Sequence, residues 1–136
     1  MPALCIPWRT DHGQRERLWR WCVARWATTL APGWSIHSAG DPGQPFNRAA
    51  ARNNAVAEAT RLDPNWRVVV LADADVAVAD VEQVYAAAAA ALDTGHLVYA
   101  HTWQATLSRD ATERVLAGED PTTIPRDDAE WEARTY

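Results

Sequence analysis

The segment Trp66-Arg67-Val68-Val69-Val70-Leu71-Ala72-Asp73-Ala74-Asp75-Val76 constrains the fold more than any other. An apolar, largely β-branched run of this kind reads as a strand buried on both faces, as in the middle of a parallel sheet. Side chains of an extended segment alternate, so Asp73 and Asp75 are expected to project the same way. Two neighbouring carboxylates at the carboxyl edge of a buried strand repel each other unless a cation lies between or beside them. An open, oxygen-rich site suits Mg2+ or Mn2+, above all when a substrate phosphate completes the shell.

The rest of the chain supplies a setting for that strand. Its 136 residues make one domain. The formal net charge of −5 argues against a general grip on nucleic acid. All 13 basic residues are Arg, a side chain suited to phosphate. Cys5 and Cys22 read as buried free thiols of a reducing compartment. With no signal-peptide pattern and no apolar run of membrane-spanning length, a cytoplasmic protein is expected.

Ala3-Leu4-Cys5-Ile6 reads as a first strand ending at Pro7. Asp11 and Gln14 have the spacing of a capping box, and a helix is expected from about Gly13 to Leu30 on a stripe of Trp19, Cys22, Val23, Trp26 and Leu30. Trp34–Ser38 alternates as a second strand, and a turn-rich loop leads to a helix starting near Asn47. The buried face of that helix is Ala51, Ala55, Ala59 and Leu62, residues small enough, for the most part, to approach a sheet closely. After the central strand, Asp80 caps a helix with the stripe Val81, Val84, Tyr85, Ala88 and Leu92. Leu97–Ala100 reads as a fourth strand, Ser108–Ala117 as a short amphipathic helix, and residues 119–136 as an acidic, extended or irregular segment.

Strands alternating with helices predict an α/β sandwich with a mostly parallel sheet, in which ligands bind beyond the carboxyl ends of the strands. Three polar loops would converge there: Pro7–Asp11, Ala39–Arg48 and Asp73–Asp75. The first offers Trp8 and Arg9. The second offers Phe46, Asn47 and Arg48, the third two carboxylates. An aromatic face with Arg suits a nucleobase, Arg a diphosphate, and carboxylates a metal, which together describe a nucleoside-diphosphate ligand. A Gly-rich Lys-Ser/Thr loop and a Gly-x-Gly-x-x-Gly element are both missing, which argues against a P-loop nucleotidase and a nicotinamide enzyme.

Pro7-Trp8-Arg9, Ala39-Gly40-Asp41, Phe46-Asn47-Arg48-Ala49, Asn53 and the apolar strand into Asp73-Ala74-Asp75 together resemble the nucleotide-sugar half of a GT-A glycosyltransferase. The pattern is most similar to β-1,4-galactosyltransferases and chondroitin-polymerase-like enzymes and covers roughly residues 3–103. The resemblance implies a Rossmann-like three-layer sandwich, a UDP-sugar donor and a Mn2+ or Mg2+ cofactor. By the same resemblance Pro7, Trp8 and Arg9 would frame the uridine and diphosphate. Phe46 would border uracil, Arg48 would contact base or ribose, Asp73 the ribose or a metal-bound water, and Asp75 the metal. Asp11 stands where the family carries a second Arg.

That reading makes residues 1–118 the nucleotide-sugar-binding domain and residues 119–136 an irregular appendage. The family's acceptor segment, catalytic carboxylate and further metal ligand have no recognisable counterpart. His96, His101, Asp127, Asp128 and Glu130 stand in no family motif, so neither acceptor nor catalytic residue is assigned. The expectation is a glycosyltransferase by descent, as a fragment, a naturally short chain, or one completed by a partner chain or homo-oligomer. The alternative is a non-catalytic nucleotide-binding subunit.

Overall fold

The computed structural model describes residues 1–41, 43 and 45–133. The elements run β1 (Pro2–Pro7), α1 (Gln14–Thr29), β2 (Ser35–Ala39), α2 (Arg48–Leu62), β3 (Val68–Leu71), α3 (Val81–Thr94), β4 (Trp103–Leu107), α4 (Arg109–Leu116) and β5 (Ala129–Ala133), with single 3-10 turns at Pro121–Thr123 and Arg126–Asp128. The chain is α/β, as its alternating pattern predicts. β1, β2 and β3 form a parallel sheet in the order β2-β1-β3.

The central strand is therefore β1. Its side chains are buried from Ala3 to Pro7 and divide by alternation between two layers. Leu4 and Ile6 pack with Cys22 and Trp26 of α1, Val84 of α3 and Ala72. Ala3 and Cys5 face Ala55 and Ala59 of α2. Full burial of a Leu or Ile side chain stabilises by about 1.5–3 kcal/mol, so this one strand anchors both layers. On the α2 side the helix comes close enough for the Cys5 thiol to point at the Ala55 carbonyl, 3.6 Å away.

Several expectations need correction. β3 is not the middle of the sheet but its edge, with only Val68–Leu71 in the ladder and Leu71 48% exposed. An apolar run records avoidance of water and not the number of ladder neighbours. The expected fourth strand, Leu97–Ala100, is not a strand and lends β3 no ladder partner among the described residues. The next strand, β4, instead pairs antiparallel with β5, so the segment expected to be irregular closes a second, two-stranded sheet. Leu62 (57% exposed) and Leu92 (43% exposed) fall off their helices' buried faces. The Asp11–Gln14 capping box is absent, because the cap position is Gly13; Asp11 instead accepts from the Gly13 amide at 2.9 Å and the Arg15 amide at 3.3 Å.

Other local readings agree with the structure. Asn47 caps α2 by accepting from the Ala50 amide at 3.1 Å, and Asp80 caps α3 by accepting from Glu82 at 3.0 Å. α4 is joined to α1 by the exposed Arg17–Glu113 pair and to the β5 side by Arg114–Asp128 at 2.7 Å. Among the described residues no helix is long and apolar enough to cross a membrane.

Candidate functional site at the carboxyl edge of the sheet

Because β1, β2 and β3 are parallel, their carboxyl ends at Pro7, Ala39 and Leu71 lie along one edge. The first two loops are stitched together there. The Trp8 amide donates to the Ala39 carbonyl at 3.1 Å, and the Asn54 side chain donates to the Gly40 carbonyl at 2.8 Å. Gly40 passes so near the first loop that a Cβ on it would lie 2.9 Å from the Trp8 carbonyl oxygen, which leaves room for glycine alone. Just past the first loop His12 adopts a φ of 55°, and its amide donates to the Thr10 hydroxyl at 3.0 Å.

Trp8, Arg9, Thr10, Gly40 and Asp41 line an open cleft of about 380 Å³ between these loops. That lies within the usual range of small-ligand sites. Asp41 braces the second loop, accepting from the Gly43 amide at 3.0 Å and the Asn47 amide at 2.9 Å. Those two amides, with the Arg9 charge behind them, hold its carboxyl below the usual range.

The third loop meets α2. Arg52 Nη2 donates to Asp73 Oδ1 at 3.0 Å, and Arg48 Nη1 lies 3.7 Å from Asp73 Oδ2. Arg48 and Arg52 are four residues apart on one helix, so both reach toward the same end of β3. Sequence reasoning nominated Arg48 and Asp73, which the fold brings together. Arg52 and Asp41 escaped it as site residues. The four-residue spacing from Arg48 was the available signal for Arg52.

The remaining nominated residues are distributed differently. Pro7 is buried at the end of β1, and Phe46 is half-buried just before the α2 cap. Trp8 stacks on Trp19 with ring centroids 3.9 Å apart and planes 2° from parallel, so one face of its indole is already covered. Asp73 and Asp75 do not alternate as strand residues. The chain turns there, with the Val76 amide donating to the Asp73 carbonyl at 3.2 Å. Asp73 is tied to α2, whereas Asp75 is exposed and lies near enough to α1 to act on Cys22. The Cys22 thiol is pushed up to about 12, first by burial and second by the Asp75 charge. Burial alone pushes Cys5 up to about 11, so both thiols are chemically quiet.

The donor set can be tested against a divalent cation. Asp75 has no hydrogen-bond or ion-pair partner among the described residues, and Asp73 Oδ2 stands beyond hydrogen-bond distance of Arg48. No group of three or more His, Cys, Asp or Glu side chains able to hold a metal occurs among the described residues. Mg2+ is commonly bound by one or two carboxylates, with water and ligand phosphate supplying the rest. Asp75 is open to that role, whereas Asp73 is already held by Arg52 and Arg48 on the α2 side and does not join it. Elsewhere, a second open groove of about 400 Å³ lies between α3, at Gln83, Ala86, Ala87 and Ala90, and residues 98–102, Tyr99 and His101 among them. It gathers no Arg or carboxylate. Comparison with protein-family models, with curated proteins and with solved structures gives no match for the chain.

Proposed function

We propose that this chain binds a UDP-sugar at the carboxyl edge of its sheet and serves as the donor half of a metal-dependent glycosyltransferase. The observation that carries the reading is the meeting of Arg48 and Arg52 of α2 with Asp73 beyond β3, alongside the cleft holding Arg9. Cation, carboxylate and cleft on one edge match a ligand that has a base, a diphosphate and a sugar. Arg9, Arg48 and Arg52 supply planar, permanently charged donors for phosphate oxygens. Phe46 and the exposed part of Trp8 border the base. Asp75 would be the carboxylate that holds Mn2+ or Mg2+, since Asp73 is occupied by Arg52 and Arg48. Such an ion supplies Lewis-acid stabilisation of the departing diphosphate.

The charge balance supports a metal as well as a nucleotide. Three guanidinium groups, from Arg9, Arg48 and Arg52, stand with the carboxylates of Asp11, Asp41 and Asp73, and Asp75 lies toward α1. A diphosphate added to such a balanced set brings surplus negative charge, which a divalent cation offsets. A thermal-shift titration tests the reading. UDP with Mn2+ should raise the melting temperature, and Asp75→Ala should remove the Mn2+-dependent part. A wild-type chain indifferent to UDP with and without Mn2+ rejects the proposal.

A second reading, a non-catalytic nucleotide-binding subunit, is favoured by the β4–β5 sheet. Its register sets Trp103 (60% exposed) and Trp131 (47% exposed) on one face. Exposed indoles at diagonal positions of one face, Trp131 with the Arg126 guanidinium over its ring, suit a contact with another chain. That reading expects UDP binding without sugar transfer, and a mass above the monomer by light scattering.

A further inference from the structure

We infer that the chain pairs with a second copy of itself through the outer edge of β3, the two strands running antiparallel about a two-fold axis at Val70. The pairing surface shares no residue with the cleft lined by Trp8, Arg9 and Asp41, so it stands or falls independently of nucleotide binding.

β3 has a ladder partner on one side, and its other side is open among the described residues. The Ala72 amide donates to the Cys5 carbonyl at 3.1 Å, and Pro2, opposite Val68, has no amide to give. Alternation therefore turns the amides and carbonyls of Val68, Val70 and Ala72 toward β1, and those of Val69 and Leu71 outward. Natural sheet edges are usually blunted by a charge, a proline or a bulge. Val68-Val69-Val70-Leu71 carries neither charge nor proline, and its register with β1 runs without a bulge. Leu71 is half exposed. The opposite edge, β2, differs. Ser35, His37 and Ser38 break up its apolar character, and none of the exposed large hydrophobic side chains among the described residues lies on it.

The ends of β3 identify the occupant. Arg67, exposed and without an ion-pair partner among the described residues, precedes the strand, and the acidic turn with exposed Asp75 follows it. A strand of this charge pattern is complementary to its own reversed copy, the condition for an isologous two-fold contact. Pairing Val69 of each copy with Leu71 of the other uses every outward amide and carbonyl of the two residues. It sets Val70 against Val70 and brings each Arg67 to the acidic turn of the other copy. Val69 and Leu71 stand opposite Ala3 and Cys5, which face α2. On that face, then, Leu71 of one copy lands beside Val69 of the other. Slipped by two residues, the pairing would set Leu71 against Arg67, or Val69 against Asp73, where the strand has already ended. In the favoured register two three-stranded sheets become one. The seam is short, so the pair is weak, with a Kd on the order of tens of micromolar.

Sedimentation velocity of the whole chain from about 1 µM to about 500 µM spans that affinity. Wild type should pass from monomer to dimer, and Leu71→Lys should stay monomeric while melting as wild type does. Arg67→Glu, at an exposed position, should weaken the dimer about tenfold or more, since the reversal acts at both ends of the seam. Trp103→Ser should dimerise as wild type does, which separates this seam from the β4–β5 face. Air oxidation tests the register. Val70→Cys should form an intermolecular disulfide, because residues of a non-hydrogen-bonded antiparallel pair lie about 4.5 Å apart at Cα. Leu71→Cys, although more exposed, should cross-link more slowly. A chain that is monomeric throughout overturns the inference, as does a dimer that survives Leu71→Lys or is lost in Trp103→Ser. Cross-linking faster through Leu71→Cys than through Val70→Cys overturns the pairing about Val70.

Discussion

On one face of the parallel sheet, Cys22 and Trp26 of α1 and Val84 of α3 pack over Leu4 and Ile6; on the other, Ala55 and Ala59 of α2 lie over Ala3 and Cys5. The first layer is thick, filled by large side chains and bordered by Trp19, Trp21 and Trp34. The second is thin at its centre, where methyl groups meet a thiol and another methyl group, with Val56, Trp66 and Val69 packed around it. The difference teaches where stability and where placement originate. Large buried side chains contribute most of the transfer free energy. Alanines contribute little of it, but they let α2 lie close to the sheet and so deliver Arg48 and Arg52 to Asp73. One layer holds the fold and the other aims the site.

The largest effect should come from the thick layer. Trp26 is 3% exposed and its indole donates to the Val76 carbonyl at 3.3 Å, just beyond the acidic turn. Trp26→Ala should cost about 3–5 kcal/mol of unfolding free energy by urea denaturation, a loss large enough to unfold a marginal domain. A cost below about 1 kcal/mol would mean that the layer does not carry the fold.

The thin layer should respond differently. Ala55 has no exposed surface and faces β1, so Ala55→Leu should overpack it and cost about 1–3 kcal/mol. The sharper expectation is that UDP affinity falls further than it does in an equally destabilised variant of the thick layer, since displacing α2 displaces both arginines. Equal losses of affinity at equal destabilisation would break the comparison.

The smallest effect sets the two layers' thiols against each other. Burial raises both Cys5 and Cys22, so the folded chain keeps protons that the unfolded chain releases above about 9. Stability conferred by the neutral thiols is thus complete below that value and declines as pH rises toward about 11 for Cys5 and about 12 for Cys22. Cys22→Ala should flatten this alkaline decline more than Cys5→Ala does, measured as melting temperature against pH. The reverse order would contradict the deeper desolvation of the α1 side.

How much of this was legible in the residues depends on which neighbour a pattern records. The Ala51, Ala55, Ala59 spacing and the Cys22, Trp26 stripe report one face of one helix, and both were read correctly. Whether a strand has one ladder partner or two leaves no such trace, so Val68–Leu71 looked central while occupying an edge. The turn at Asp73–Val76 was hidden because alanines are compatible with strand and turn alike. β5 carried a usable signal: Ala129, Trp131 and Ala133 alternate with Glu130 and Glu132, a period of two masked by the acidic composition. At the site, Arg48 and Asp73 could be nominated from the order of loops along the sheet edge. Arg52 had only its four-residue spacing from Arg48 to set it apart from a solvated helical Arg, and its reach to Asp73 shows in the fold.

The Trp8–Trp19 stack has an optical consequence. Indoles in parallel contact couple their electronic transitions, and coupled transitions of this kind give a paired positive and negative signal in circular dichroism that vanishes when the rings part. Trp8 lies between Pro7 and Arg9 on the wall of the cleft, while Trp19 is fixed on α1 and donates to the Ser38 hydroxyl at 3.2 Å. The molecule therefore carries its own spectroscopic gauge of the first loop, readable as the difference between the native chain and Trp8→Phe, without any attached label.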